Sequence, residues 1–239
     1  MRNRFSGFLW FAVMVMLFAA PGAFGQANLY LNDAGNNVMD GVYVGPYNAT
    51  INGTSGQQII CDDFADETNV GESWIANVTT LSNLSGTKWG SSSPSSFWGG
   101  SYSALQGYEA MMALSSQMLG NKNPNQVGDL AYAVWAIFNG SAVYNWLISH
   151  GDGAAWGAVQ SMVTAALKGS YSIAQFAGWQ IFTPTKCLSN CTGIGGLPQE
   201  FLEYNPLNVP EGGTAISYLL VGLFTCLMAM VYRRRQVQA

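Results

Sequence analysis

The chain is poor in charge and has no arginine across its long central region. Only 9% of its 239 residues are charged, against roughly a quarter in an average soluble domain. No arginine occurs between Arg4 and Arg233, and residues 26–208 carry four lysines against twelve acidic residues. Binding to nucleic acid requires a basic face that neutralises phosphates, so this composition excludes a nucleic-acid partner.

Histidine and cysteine are also scarce. His150 is the only histidine, and there are four cysteines, so no zinc-ligand pattern can be built. His150 ends a helix-like stretch, where a protonated imidazole interacts favourably with the helix dipole, and we expect a structural role for it. Hydrophobic residues make up 49% of the chain and aromatic residues 13%, which excludes a disordered polypeptide.

The N-terminus has the three parts of a secretory signal peptide. Arg2 and Arg4 form a positive end, residues 8–20 are apolar, and small residues stand at the expected cleavage point. We therefore expect residues 1–25 to be a signal peptide that is cleaved before Gln26. The alternative is an uncleaved anchor helix.

A second apolar run near the C-terminus predicts a transmembrane helix. Residues 215–232 contain no charge over 18 residues, which is just long enough to cross the hydrocarbon core. Arg233, Arg234 and Arg235 follow directly, and the positive-inside rule keeps such a cluster in the cytoplasm. Residues 26–208 are therefore expected to form one domain, exported across the cytoplasmic membrane and anchored in it by the tail.

A short motif precedes the apolar run: Val209, Pro210, Glu211, Gly212 and Gly213. The motif, the apolar run and the arginine cluster together resemble the PEP-CTERM sorting signal of Gram-negative bacteria. The chain has Glu-Gly-Gly where the commonest form has Glu-Pro, so it resembles a VPEGG-type variant. The resemblance implies processing by an exosortase, a membrane transpeptidase-like enzyme. Proline and glycine keep the motif non-helical and accessible. The alternative is a plain single-pass anchor.

Sequence patterns predict an α+β fold with antiparallel strands and a central helical segment. Strand character dominates residues 41–82, with a hairpin turn at Asn52-Gly53. A serine- and glycine-rich loop over 85–103 follows. The remaining predicted elements are helices over 105–119, over 126–138 with an end at Asn139-Gly140, and over 153–168 after an Asp152 cap, then strands over 179–182 and 200–204.

Five short blocks of the exported region resemble, as a set, a family of PEP-CTERM ectodomains. They are residues 43–47, 60–64, 108–110, 131–138 and 198–202. The resemblance spans most of the region and implies an exported bacterial protein. It assigns no catalytic residue.

Cys61 lies in a pattern that is similar to the thioester domains of bacterial surface adhesins. Cys61-Asp62-Asp63-Phe64 is followed later by Ala133-Val134-Trp135. The resemblance implies that a cysteine condenses with a glutamine shortly before the alanine–tryptophan segment, and that the thioester acylates a surface nucleophile. Here Ala131 or a neighbour stands at the expected glutamine position, and Gln126 lies on another helical face. We therefore expect a buried structural Cys61, with a reactive Cys61 as the alternative.

The other cysteines suggest a local cross-link. Cys187 and Cys191 flank a short polar loop, and an oxidising exported location favours a disulfide between them. Cys226 falls within the apolar run 215–232. Cys61 is then left over, either as a buried thiol or as a partner of Cys187 or Cys191.

Five acidic residues lie close together in the sequence: Asp62, Asp63, Asp66, Glu67 and Glu72. We expect them in a solvated loop, because charged side chains are mostly exposed. A calcium site and a carboxylate pair for glycoside hydrolysis are the alternatives, although the spacing matches no EF-hand loop. We assign no catalytic, cofactor-binding or metal-binding residue.

These features together predict an exported bacterial surface or extracellular-matrix protein with a structural or interaction role and no enzymatic activity. An exosortase is its expected processing partner, and the exopolysaccharide of a biofilm is its expected partner outside the cell. The alternatives are an adhesin-like binding module that uses the Cys61 region, a surface hydrolase, and a plain single-pass membrane-anchored protein.

Overall fold

The computed structural model describes residues 25–206, which form an α+β domain with antiparallel strands, as predicted. The strands are β1 (Gly25–Asp33), β2 (Val38–Met39), β3 (Val42–Tyr43), β4 (Tyr47–Ile51), β5 (Thr54–Cys61), β6 (Ser73–Thr79), β7 (Trp179–Ser189) and β8 (Phe201–Tyr204). The helices are α1 (Ala104–Met118), α2 (Pro124–Ser149) and α3 (Gly153–Leu167), all inserted between β6 and β7.

Several predicted segments lie outside the described residues. They are the signal peptide up to residue 24, the motif Val209 to Gly213, the apolar run 215–232 and the cluster Arg233 to Arg235. Between residues 25 and 206, no helix combines the length and the apolar character that crossing a bilayer requires.

Six strands close into an antiparallel barrel in the order β1-β4-β5-β8-β7-β6, because β1 pairs with both β4 and β6. Alternate residues of these strands fill the interior, since successive side chains point to opposite faces of a strand. Leu29 lies opposite Ile51 and Trp74, and the Trp74 ring stacks on Phe201 at a centroid distance of 5.6 Å. These apolar layers form the core of the barrel.

The predicted hairpin turn at Asn52-Gly53 is confirmed. Both residues have left-handed backbone angles, with φ of 49° at Asn52 and 81° at Gly53, as a two-residue turn between twisted strands requires. The turn joins β4 to β5, and β5 runs on to end at Cys61.

Helix α3 begins at the expected cap, whereas α2 begins at Pro124, two residues before the predicted start, and its predicted end is wrong. The Asp152 side chain accepts a hydrogen bond from the Ala155 N–H at 2.9 Å and starts α3 as predicted. In α2, Asn139 departs from helical geometry (φ −110°, ψ 34°), yet the helix resumes and continues to Ser149. It continues because Val143 and Leu147 are still buried in the core, and that burial stabilises the second segment despite the kink.

Candidate functional site

Two neighbouring strand ends bring Cys61 and Gln199 together. Cys61 is the last residue of β5 and pairs with Phe201, the first residue of β8. Gln199 stands two residues before Phe201, so it lies beside the end of β5 although 138 residues separate it from Cys61 in sequence. The antiparallel pairing of β5 with β8 therefore builds this site from distant parts of the chain.

The Cys61 sulfur and the Gln199 amide contact the same oxygen atom. Cys61 Sγ donates a hydrogen bond to the Asp63 carbonyl oxygen at 3.1 Å, and Gln199 Nε2 donates to that oxygen at 2.8 Å. The amide also donates to the Asp66 carbonyl oxygen, and the Gln199 N–H donates to Thr68 Oγ1 at 2.8 Å. These bonds fix the carboxamide of Gln199 on the carbonyl oxygen that the thiol also contacts.

A glutamine reaches the surroundings of Cys61, although not from the position that the thioester resemblance implies. The expected position falls at Ala131, which is buried in α2, and Gln126 is exposed near the start of that helix. Gln199 comes instead from the opposite end of the domain. The signal that could have found it is the block Pro198-Gln199-Glu200-Phe201-Leu202, one of the five blocks with family resemblance.

Cys61 is a buried neutral thiol, as expected from the sequence. It is 1% exposed, and burial, followed by the charges of Asp63 and Asp62, raises its pKa well above the usual value. The Asp63 N–H donates to the sulfur at 3.3 Å. Trp135 Nε1 donates to the Cys61 carbonyl oxygen at 3.0 Å, which ties α2 to the end of β5.

The acidic residues do not form the solvated loop that we expected. Four of the five are buried: Asp62, Asp63, Asp66 and Glu72. Glu67 is exposed. Lys88 contacts the Asp63 carboxylate and approaches Asp66 Oδ2 at 3.8 Å, and these contacts offset the cost of burying charge. Glu72 accepts hydrogen bonds from the Thr192 N–H and hydroxyl at 3.1 and 2.7 Å.

Among residues 25–206, no cluster of three or more histidine, cysteine, aspartate or glutamate side chains is arranged so that it could hold a metal ion.

Glu200 anchors a buried polar network. Its carboxylate accepts hydrogen bonds from Tyr108 Oη, from Thr183 Oγ1 and, at 2.8 Å, from the Lys88 N–H. Burial raises the pKa of Glu200 despite these donors. Burial and then the Glu200 charge raise the pKa of Asp62 well above its usual value. Asp62 is fully buried and is not among the residues that line the cleft at this site.

A cleft of about 410 Å³ has Gln199 and Asp63 in its lining, whereas the buried Cys61 is not part of that lining. Aromatic side chains form much of its wall: Tyr43, Tyr47, Phe64, Trp135, Trp146 and Phe201. Asp63, Asp66, Glu67 and Gln199 supply charged and polar groups, and the lining contributed by the described residues includes no lysine or arginine. Gln199 and Asp63 therefore connect the buried Cys61 to a space that a ligand can enter.

Cys187, Cys191 and His150 are not part of the cleft lining. Cys187 and Cys191 form a disulfide at the end of β7, with Cα atoms 5.9 Å apart. Cys61 is therefore the free cysteine among residues 25–206.

His150 follows α2, and its ring stacks on the Trp146 ring at a centroid distance of 4.3 Å. Its Nδ1 lies 2.9 Å from the Trp146 carbonyl oxygen, which is consistent with a structural role at a helix end.

Comparisons of the chain with models of known protein families, with curated proteins and with solved structures find no match. The candidate site is therefore defined by its own geometry. A buried thiol and a side-chain amide share one carbonyl oxygen beside an aromatic, acidic cleft.

Proposed function

We propose that the protein is an exported bacterial surface or extracellular-matrix protein whose domain attaches covalently to its partner through a thioester between Cys61 and Gln199. One observation carries this proposal: the thiol and the amide of these two residues contact the same Asp63 carbonyl oxygen. It unites the matrix role expected from the termini with the adhesin-like alternative for Cys61.

Thioester formation balances without any co-reactant. The Cys61 sulfur attacks Cδ of Gln199, the C–S bond forms, and the C–N bond to the amide nitrogen breaks. The thiol proton leaves with that nitrogen, which departs as ammonia. Holding the two groups together converts an unfavourable encounter into an intramolecular step. Burial penalises a charged thiolate but not a neutral thioester, so the buried position of Cys61 suits the product.

The thioester would then react with a nucleophile that enters the cleft. An amine attacks the carbonyl carbon contributed by Gln199, the new C–N bond forms, the C–S bond breaks, and the sulfur recovers a proton from the amine. The Asp63 N–H, which already donates to Sγ, stabilises negative charge that develops on the departing sulfur. Each molecule reacts once, so the domain acts as a single-use coupling reagent and not as an enzyme.

The terminal segments would deliver this domain to the cell surface. Residues 1–25 direct export, and the motif 209–213 with the run 215–232 holds the chain in the cytoplasmic membrane for an exosortase. Arg233 to Arg235 orient that helix. Release by the exosortase would place the protein in the exopolysaccharide of a biofilm.

Reaction with methylamine tests the thioester. We expect the Gln199 peptide of the treated protein to be about 14 Da heavier than an unmodified glutamine peptide, because N-methyl amide replaces the carboxamide. Cys61 should become open to alkylation in denaturant only after that treatment. Gln126→Ala is the matched control and should react like the wild type, whereas Gln199→Ala should not react. An unmodified Gln199 with Cys61 alkylated from the outset would contradict the proposal.

Cell fractionation tests the sorting step. The wild type should lose its C-terminal segment and leave the membrane, whereas a Pro210→Ala, Glu211→Ala variant should stay there at full length. If both proteins remain in the membrane at full length, the plain single-pass anchor is the better description.

A further inference from the structure

The aromatic wall of the cleft is assembled before any ligand arrives. Phe64 contacts the rings of Trp135 and Trp146 at centroid distances of 5.4 and 5.9 Å, so these side chains hold one another in place. Tyr43, which also lines the cleft, is 53% exposed. Rigid aromatic surfaces of this kind bind the apolar faces of ring-shaped ligands.

The charge of the cleft selects for a cation. Asp63, Asp66 and Glu67 line it, and no basic side chain of the described chain does. Lys88 contacts Asp63 and approaches Asp66 but is not part of the lining, and no ion pair with a basic side chain is found for the exposed Glu67 among the described residues, so the lining keeps a net negative charge. An ammonium ligand gains from the carboxylates and from the tryptophan faces. Uronic acids and sulfated sugars would be repelled.

The size of the cleft favours rings over a single alkyl chain. Its volume of about 410 Å³ lies in the range of sites that enclose compact small molecules. Gln199 lines the same space, so a ligand held there has its amine close to the carbonyl carbon of the proposed thioester.

We propose that the cleft recognises a hexosamine oligosaccharide with free amino groups, and that the partner of the protein is a de-N-acetylated amino-sugar polymer. The rings stack on the aromatic wall while the ammonium groups interact with Asp66 and Glu67. The covalent step rests on the thioester proposed above. In that step the deprotonated amine of one sugar attacks Cδ of Gln199, an amide bond to the sugar forms, and Cys61 is released with the proton.

Binding to the Cys61→Ser protein tests recognition separately from covalent chemistry. By titration calorimetry, we expect a glucosamine trimer to bind about tenfold more tightly than an N-acetylglucosamine trimer. Nα-acetyl-lysine methylamide should bind more weakly than the glucosamine trimer, because it has no ring to stack. Wild-type protein that has been opened with methylamine serves as a second sample if Cys61→Ser folds poorly.

Two substitutions locate the binding. Glu67→Gln should weaken glucosamine-trimer binding about fivefold by removing an exposed carboxylate from the cleft, whereas the control Asp33→Asn, exposed on β1, should not. Equal binding of the two trimers, tighter binding of the lysine compound, or no effect of Glu67→Gln would overturn the inference, whatever the state of Cys61. Saccharide binding without any thioester would refute only the proposed covalent function.

Discussion

Glu203 offers a quantitative test of the barrel interior. It lies on β8 directly opposite Ile59 and Gln180 and is 3% exposed. Burial raises its pKa from 4.5 to about 7. The folded protein therefore holds this proton more tightly than the unfolded chain does. The stability that this proton contributes is fully present below the unfolded-chain pKa of 4.5 and is lost as the pH rises through the folded-state pKa of about 7. At about 1.36 kcal/mol per pKa unit, the loss is about 3 kcal/mol.

Glu203→Gln keeps the shape of the side chain and removes its titration. The free energy of unfolding, measured in urea from pH 4 to pH 8, should be similar for the two proteins at pH 4. At pH 8 the variant should be more stable by about 3 kcal/mol. Every other ionisable group is present in both proteins, so the difference between the two curves isolates Glu203. Parallel curves for wild type and Glu203→Gln would refute this placement of the side chain.

Three further substitutions probe the support of the site by urea unfolding. Lys88→Met should lower the free energy of unfolding by about 1–3 kcal/mol, because the buried Asp63 loses its counter-charge, and an unchanged stability would argue against that ion pair. Tyr108→Phe should cost about 1–3 kcal/mol, because Glu200 loses a donor and the Trp89 N–H loses its acceptor. Trp135→Phe should cost about 1 kcal/mol through the lost bond to the Cys61 carbonyl; equal stability would show that this bond is replaced by water.

Local patterns were enough to predict much of the fold. The Asn52-Gly53 turn and the Asp152 cap are short-range signals, and the structure confirms both. The continuation of α2 beyond Asn139 depends on buried contacts of later residues, which a turn-like dipeptide does not reveal. Closure of the barrel likewise depends on the pairing of β1 with β6, which brings together segments far apart in the chain.

The site was harder to predict because its parts come from distant segments. Asp63 is buried, contrary to the usual behaviour of aspartate, because Lys88 reaches it from another loop. Gln199 approaches Cys61 only through the pairing of β5 with β8. Gln199 is remote in sequence from the segment Ala133-Val134-Trp135, which belongs to α2, so sequence proximity to that segment does not reveal it.

The intact mass of the exported protein, purified without amine buffers, tests the central claim most directly. Allowing for the hydrogens lost in the Cys187–Cys191 disulfide, a thioester predicts a mass lower than that of the processed sequence by one ammonia, about 17 Da. The deficit should disappear in Cys61→Ser and in Gln199→Ala and persist in Gln126→Ala. A wild-type mass equal to that of the sequence, with Cys61 present as a thiol, would contradict the account.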